Sequence, residues 1–136
     1  MEKVFVDSDI VLDLLSGRQP HYNHAAELFS LADEGSVKIF ISSLSFANVN
    51  YILSKQYTAD QTRKKLLKFK TLVSVLSVGD KTIELALASD FKDFEDAIQY
   101  NTAIENDLNT LLTRNLKDFK KSEITVLTAE QYLNAE

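Results

Sequence analysis

Lys3-Val4-Phe5-Val6-Asp7-Ser8-Asp9-Ile10-Val11-Leu12-Asp13 is the stretch on which the reading of this chain turns. Lys3 to Val6 is a short apolar run that stops at Asp7, the pattern of a buried strand. Ile10 to Leu15 is helical, with Ser8 or Asp9 available as its cap and Gly17 near its end. The same alternation continues outward from it. Tyr22, Ala25, Ala26, Phe29 and Ala32 share one helical face, and Gly35 closes that helix. Val37 to Ile41 reads as a second strand, followed by helices over about Ser45 to Ser54 and Asp60 to Lys70. Val73 to Val78 is β-branched and strand-like, and a helix over Lys81 to Ser89 follows. Asp93 to Glu105 is a further helix, with Phe94, Ala97, Ile98 and Ile104 turned inward. Thr110 to Thr113 and Ile124 to Leu127 are two more short apolar runs. Strands that are apolar throughout, alternating with helices, indicate a parallel sheet covered on both faces. The expected fold is a three-layer α/β/α sandwich around a central parallel sheet of about five strands.

Composition narrows the functions open to such a fold. The chain has 136 residues, 45% of them hydrophobic, which suits a single domain over 1–136. The absence of cysteine removes a thiol nucleophile, a cysteine zinc site and a disulfide framework. Three glycines, Gly17, Gly35 and Gly79, cannot write a P-loop or a GxGxxG turn. No run approaches the roughly 18 apolar residues of a membrane helix. The N-terminus lacks the basic-then-apolar pattern of a signal peptide. A cytoplasmic location and no membrane partner are expected. The formal charge of -5 argues against a protein that coats nucleic acid indiscriminately, but the sum hides its distribution. Residues 55–70 carry six bases and one acid, whereas residues 84–107 carry seven acids and one base.

In open parallel sheets the ligand sits beyond the carboxyl ends of the strands. Asp7 stands there directly, and Asp118 follows the fourth apolar run by six residues. Asp93 and Asp96, three apart, project from one side of their helix. Each has a bland alternative: Asp7 as a helix cap, Asp118 as a solvated loop acid, the helical pair as an exposed polar face. Together they say more. If the first strand is central and the fourth lies beside it, Asp7 and Asp118 converge, and Asp96 reaches the same place. Gathered carboxylates repel one another unless a cation sits among them. Oxygen donors suit Mg²⁺ or Mn²⁺, and such ions position and acidify a water for phosphodiester hydrolysis.

Four stretches, in order along the chain, carry a resemblance to the PIN domains of VapC-like toxins from bacterial toxin–antitoxin systems. They are Val-Phe-Val-Asp-Ser-Asp-Ile-Val-Leu-Asp (4–13), Ile-Ser-Ser-Leu-Ser-Phe-Ala-Asn (41–48), Asp-Phe-Glu-Asp-Ala-Ile-Gln-Tyr (93–100) and Leu-Thr-Arg-Asn-Leu-Lys-Asp-Phe (112–119). The resemblance implies a Mg²⁺- or Mn²⁺-dependent ribonuclease acting on single-stranded RNA, forming a homodimer and bound by a cognate antitoxin. Carried over by position, Asp7, Asp96 and Asp118 are its catalytic, metal-binding acids. Thr113 and Asn115 are the polar residues that brace them, with Asp93 in support. One position departs from the pattern: where many members have Glu, this chain has Asn48, which can accept a hydrogen bond but supplies no charge. Asp9, standing where many relatives have Asn or Ser, is expected to restore that charge as a further metal ligand.

Other residues offer weaker signals. Arg114 and Lys117, with Arg18, lie near the acids in sequence and are the candidate RNA-phosphate contacts. The bases of residues 55–70 read as a solvated helix face or as a track for an RNA backbone. Tyr51, Tyr57 and Tyr100 are aromatics for base stacking or for the core. His21 and His24 have no further nitrogen or sulfur ligands with which to form a metal site. Leu14, Leu15, Tyr22 and Phe29 exceed what a thin edge must bury and suggest an oligomer surface. Two other functions stay open: a PIN fold that binds RNA or protein without cutting, and a haloacid dehalogenase-type phosphatase suggested by Asp7-Ser8-Asp9.

Overall fold

The computed structural model describes residues 1–135. Five parallel strands form one sheet in the order β3-β2-β1-β4-β5. They are β1 (Glu2–Val6), β2 (Val37–Ser42), β3 (Ser74–Leu76), β4 (Thr110–Leu112) and β5 (Thr125–Leu127). The helices are α1 (Ser8–Ser16), α2 (Tyr22–Asp33), α3 (Ser43–Leu53), α4 (Ala59–Lys70), α5 (Asp80–Leu87), α6 (Phe94–Glu105) and α7 (Ala129–Asn134). A short 3-10 turn over Leu116–Phe119 joins the last two strands. The expected architecture is observed. Two elements are additional: the 3-10 turn and α7, which starts with a Thr128–Gln131 capping box. Among the described residues no helix is long and apolar enough to cross a membrane.

The two faces of the sheet separate residue by residue, as the two-residue period of a strand requires. Val4, Val6, Ile39, Ile41 and Leu112 pack with Ile10, Leu28, Val49, Phe69 and Tyr132 from α1, α2, α3, α4 and α7. Phe5 and Leu111 point the other way, onto Ala103, Leu108 and Phe119, with Tyr100 and Phe91 beside them. α5 closes on α6 through Ala86, Ala97 and Ile98. Two side chains depart from expectation. Phe94, in the first turn of α6, is exposed, because the inward face there begins at Asp96. Phe29 is buried in the main core, in edge-to-face contact with Phe69, and is no free surface.

Strand order places the site. The chain runs from β1 outward through β2 to β3, then returns to lay β4 on the opposite side of β1. The direction of winding thus reverses between β1 and β4, where Phe5 pairs with Leu111 and Val6 with Leu112. A crevice opens beyond the carboxyl ends of these two strands. Asp7 and Thr113 are the first residues past them, and the Asp7 amide donates to the Leu112 carbonyl at 2.9 Å. Phe5 spans this central position and is fully buried. Phe5→Ala is expected to cost about 3–5 kcal/mol of unfolding free energy, read as a lowered midpoint in urea with little change in slope.

Candidate active site

Asp7 ends β1 and begins α1, so its position is set by the central strand. It is the N-cap of α1, with Oδ1 accepting from the Ser8 amide at 2.7 Å; the cap expected at Ser8 or Asp9 lies one or two residues earlier. Capping and a place among the acids are therefore both true of Asp7. Its Oδ2 accepts from the Thr113 hydroxyl at 2.9 Å, a bond across the β1–β4 junction. The same hydroxyl lies 3.2 Å from Asp9 Oδ2, which also accepts from the Arg114 amide at 3.0 Å. Thr113, wholly buried, braces both acids. The Asn115 amide donates to Thr113 Oγ1 at 3.2 Å, so Asn115 contributes through its backbone.

The other carboxylates arrive from α6 and the 3-10 turn. Asp93 caps α6, accepting from the Asp96 amide at 3.0 Å, while Asp96 is buried on the inward face. Asp118 is exposed on the 3-10 turn, which Phe119 anchors in the core. Asp93 and Asp118, together with Lys117, line a cleft of about 430 Å³. Electrostatics ties the group together. Burial, then Asp93, Asp118, Glu95 and Asp9, push Asp96 from 3.8 up to about 7. Burial, then Asp9, hold Asp7 well above the usual carboxylate range, with Asp96 adding to the shift. Burial raises Asp9 as well, against the pull of its bond from Arg114.

A network without charge holds these elements in place. Gln99, wholly buried and three residues beyond Asp96, accepts from Ser42 Oγ at 2.8 Å. It donates to Ser45 Oγ at 3.0 Å and Ser8 Oγ at 3.3 Å. Ser8 in turn donates to Ser45 at 2.7 Å. One amide thus fastens α6 to the starts of α1 and α3. The sequence reading missed Gln99, although a Gln between Ala97, Ile98 and Ala103 on the inner face of a helix is a usable signal. It also missed Glu95, whose Oε2 accepts from Asn48 Nδ2 at 2.7 Å.

The candidate phosphate contacts separate. Arg114 turns its Nε to the buried Asp13 Oδ2 at 2.9 Å, and its side chain is one-third exposed. Burial raises Asp13, and Arg114 opposes that rise. Lys117 is exposed on the cleft, and Arg18 is exposed beyond α1. The basic helix α4 lies elsewhere: Lys64 pairs with Asp60, Lys65 sits over Tyr57, and Lys65 and Lys68 border a groove with Leu14, Leu15 and Tyr22. Tyr100 packs against Phe91, and only Tyr51 of the three tyrosines is largely exposed. His21 and His24 line a separate 140 Å³ cavity, with His24 Nε2 3.8 Å from Glu130.

The donor set suits a hard divalent cation. Among the described residues neither Asp7 nor Asp96 enters an ion pair, so their charge is uncompensated. Asp9 Oδ1 is buried with no hydrogen-bond partner. Among the described residues no three acidic or histidine side chains close into a ready coordination shell. An ion here would complete its sphere with water, as Mg²⁺ bound by one or two carboxylates does.

Two outcomes follow. Because Asp96 binds its proton more tightly folded than unfolded, the metal-free protein should lose stability as pH rises from about 4 through 7. Asp96→Asn should flatten that dependence in a melting-temperature series. Gln99→Ala, which takes the acceptor from the buried Ser42 hydroxyl and the donor shared by Ser8 and Ser45, should cost about 1–3 kcal/mol in denaturant unfolding.

A family model for the PIN domain matches residues 3–117, taking in Asp7, Asn48 and Asp96 and stopping one residue short of Asp118. No curated protein matches the chain with significance. Among solved structures, a toxin–antitoxin complex from Klebsiella pneumoniae is 26% identical, covering 93% of this chain and 97% of that one at a TM-score of 0.70. VapBC2 from Rickettsia felis, bound to a DNA fragment from its promoter, is 22% identical over 92% of this chain and 96% of that one, with a TM-score of 0.68. VapC20 of Mycobacterium tuberculosis, a Sarcin-Ricin loop cleaving toxin, is 16% identical over 79% and 86%, with a TM-score of 0.64. With the sheet order, the acids at its switch point and a family match over most of its length, the chain belongs to the PIN domain family.

Proposed function

We propose that this PIN domain is a Mg²⁺- or Mn²⁺-dependent endoribonuclease acting on single-stranded RNA, and the toxin of a bacterial toxin–antitoxin pair in the cytoplasm. The observation that carries the reading is the group of carboxylates without ion-pair partners at the β1–β4 switch point, where burial first and then the neighbouring acids raise Asp96 to about 7. The likeness to structures of toxin–antitoxin complexes, and to a toxin that cleaves the Sarcin-Ricin loop, supports the reading. It displaces the phosphatase alternative, which rested on Asp7-Ser8-Asp9 alone.

In this reading Asp7, Asp96 and Asp118 hold the ion, with Asp9 beside them. A bound ion supplies charge neutralisation at the phosphate and acidity to a water. The chain's own residues do the rest. Thr113 fixes the Asp7 carboxylate, and Gln99 fixes the helix that carries Asp96. Lys117 and Arg18 take RNA phosphates. Arg114 is ion-paired to Asp13, with its Nε 2.9 Å from Asp13 Oδ2, and its partly exposed guanidinium is assigned to the substrate. The antitoxin is assigned to the 540 Å³ groove of Leu14, Leu15, Tyr22, Phe69 and Leu72, in a complex built on a homodimer.

Expression in bacteria tests the assignment. Wild type should arrest growth and, purified, cleave single-stranded RNA only with Mg²⁺ or Mn²⁺; Asp7→Asn and Asp96→Asn should do neither. Thr113→Val should lower cleavage about 10–100-fold, as loss of a ligand-orienting bond does. Arrest that survives both aspartate substitutions would sink the catalytic assignment. The second reading, a PIN fold that binds without cutting, draws on Asn48 and the open shell. Wild type that takes up no Mn²⁺ at millimolar concentration would favour it.

A further inference from the structure

The cleft of Asp93, Asp118 and Lys117 does not end at the acids. A second cavity, of about 320 Å³, adjoins it and shares Asp90, Phe91 and Lys121 with it. The two make one groove, with the acids in one part, Tyr100 and Asn101 in the other, and Phe91 at the junction. Lys92, Lys117, Lys120 and Lys121, all exposed, line the part that holds the acids. Among the described residues the first three enter no ion pair, and Lys121 lies 3.8 Å from Asp90 with both side chains largely exposed.

The aromatic ring at the junction is held from behind. Phe91 lies in the loop between α5 and α6; its ring centroid is 5.1 Å from that of Tyr100 and 5.7 Å from that of Phe119, the latter edge-to-face. Tyr100 is itself fixed, its hydroxyl accepting from the Glu123 amide at 2.9 Å. Phe119 is buried, whereas Phe91 stays partly open to the groove. A ring fixed by two others and exposed in part is a platform for a nucleobase, since every nucleobase has a π-face to offer. Unpaired lysines beside such a ring match a single strand, which presents phosphates and unstacked nucleobases together. The basic helix α4 offers less. Lys64 is paired with Asp60 at 3.1 Å, Lys65 sits over Tyr57, and the groove they adjoin holds Leu14, Leu15 and Tyr22 in place of the site's acids.

We propose that this groove carries single-stranded RNA away from the acids, with Lys92, Lys117 and Lys120 on its phosphates and Phe91 stacked on one of its nucleobases. The inference rests on the ribonuclease reading and deepens it. The strand follows the α5–α6 loop and the 3-10 turn, and the basic face of α4 is left as a solvated surface. Contacts to phosphates and to a π-face grip the strand without choosing its sequence.

Fluorescence anisotropy with a short labelled oligouridylate tests the path, on the full chain carrying Asp96→Asn so that the RNA is held uncut. Adding Lys92→Gln with Lys120→Gln should weaken binding about 10-fold or more at low salt. It should also lower the slope of log affinity on log salt by about 1.4, the counterion release of two phosphates on a single strand. Lys64→Gln with Lys70→Gln on α4 should change neither quantity. Phe91→Leu keeps an apolar side chain against Tyr100 and Phe119 and removes the ring; it should weaken binding about 5-fold or more. With an abasic oligonucleotide of equal length, Phe91→Leu should bind as its parent does, because no nucleobase is there to stack. Equal loss on both oligonucleotides makes Phe91 a packing residue and overturns its role. An unchanged salt slope in the lysine pair, or a fall with the α4 pair, overturns the path. If the groove instead receives a second copy of the chain, the lysine pair shifts sedimentation and leaves RNA affinity at the parent value, which also overturns it. A parent chain that binds no RNA, while wild type still arrests growth and cleaves RNA with Mn²⁺, overturns the groove and spares the ribonuclease. Absence of binding, arrest and cleavage together overturns both.

Discussion

Carboxylates that share a desolvated cleft push one another apart, and most of what surrounds this site holds them where they are. Asp7 is pinned at both oxygens, by the Ser8 amide and by the Thr113 hydroxyl. Asp96 rides on a helix fastened from beneath by Gln99. Among the described residues neither acid has a basic partner, so the repulsion is borne by the scaffold and not relieved locally. Gathering the acids there is unfavourable by itself, and the neutral network of Gln99 with Ser8, Ser42 and Ser45 holds the surrounding elements together. Serines and an amide serve because they bind one another without adding charge to a place already overloaded with it.

Arg114 shows the same economy from the other side. It is the base nearest the acids in sequence, and a side chain free to reach Asp7 or Asp96 would quench the site. The buried Asp13, one turn along α1 from Asp9, takes its charge in an ion pair instead. The Arg114 backbone amide, by contrast, does serve the site, bonding Asp9. One residue therefore supports the acids through its main chain while its charge is kept on another carboxylate.

The strands, the helices and the parallel sheet were readable because each strand is an unbroken apolar run and each helix repeats its apolar residues every three or four positions. Asp7, Thr113 and Asp118 were readable because each closely follows such a run. Phe94 was misread because the apolar stripe of α6 starts only at Ala97, and its first turn is given over to acids. α7 went unread because its apolar content is slight, although Thr128 and Gln131 spell the capping box that starts it. Asn48 is the instructive residue. Linear reading shows only that it lacks charge, whereas folding sets its amide against Glu95, 47 positions away.

Local pattern therefore determined which residues form strands and helices and which acids sit at their ends, because hydrophobic period and capping act within a few residues. Tertiary structure decided which acids come together, what Arg114 does with its charge, that Gln99 ties α6 to the starts of α1 and α3, and that Glu95 meets Asn48. Those outcomes depend on strand order and on contacts between α1, α3 and α6, set by which faces pack together, and a single stretch shows at most that a residue such as Gln99 faces inward, not what it meets there.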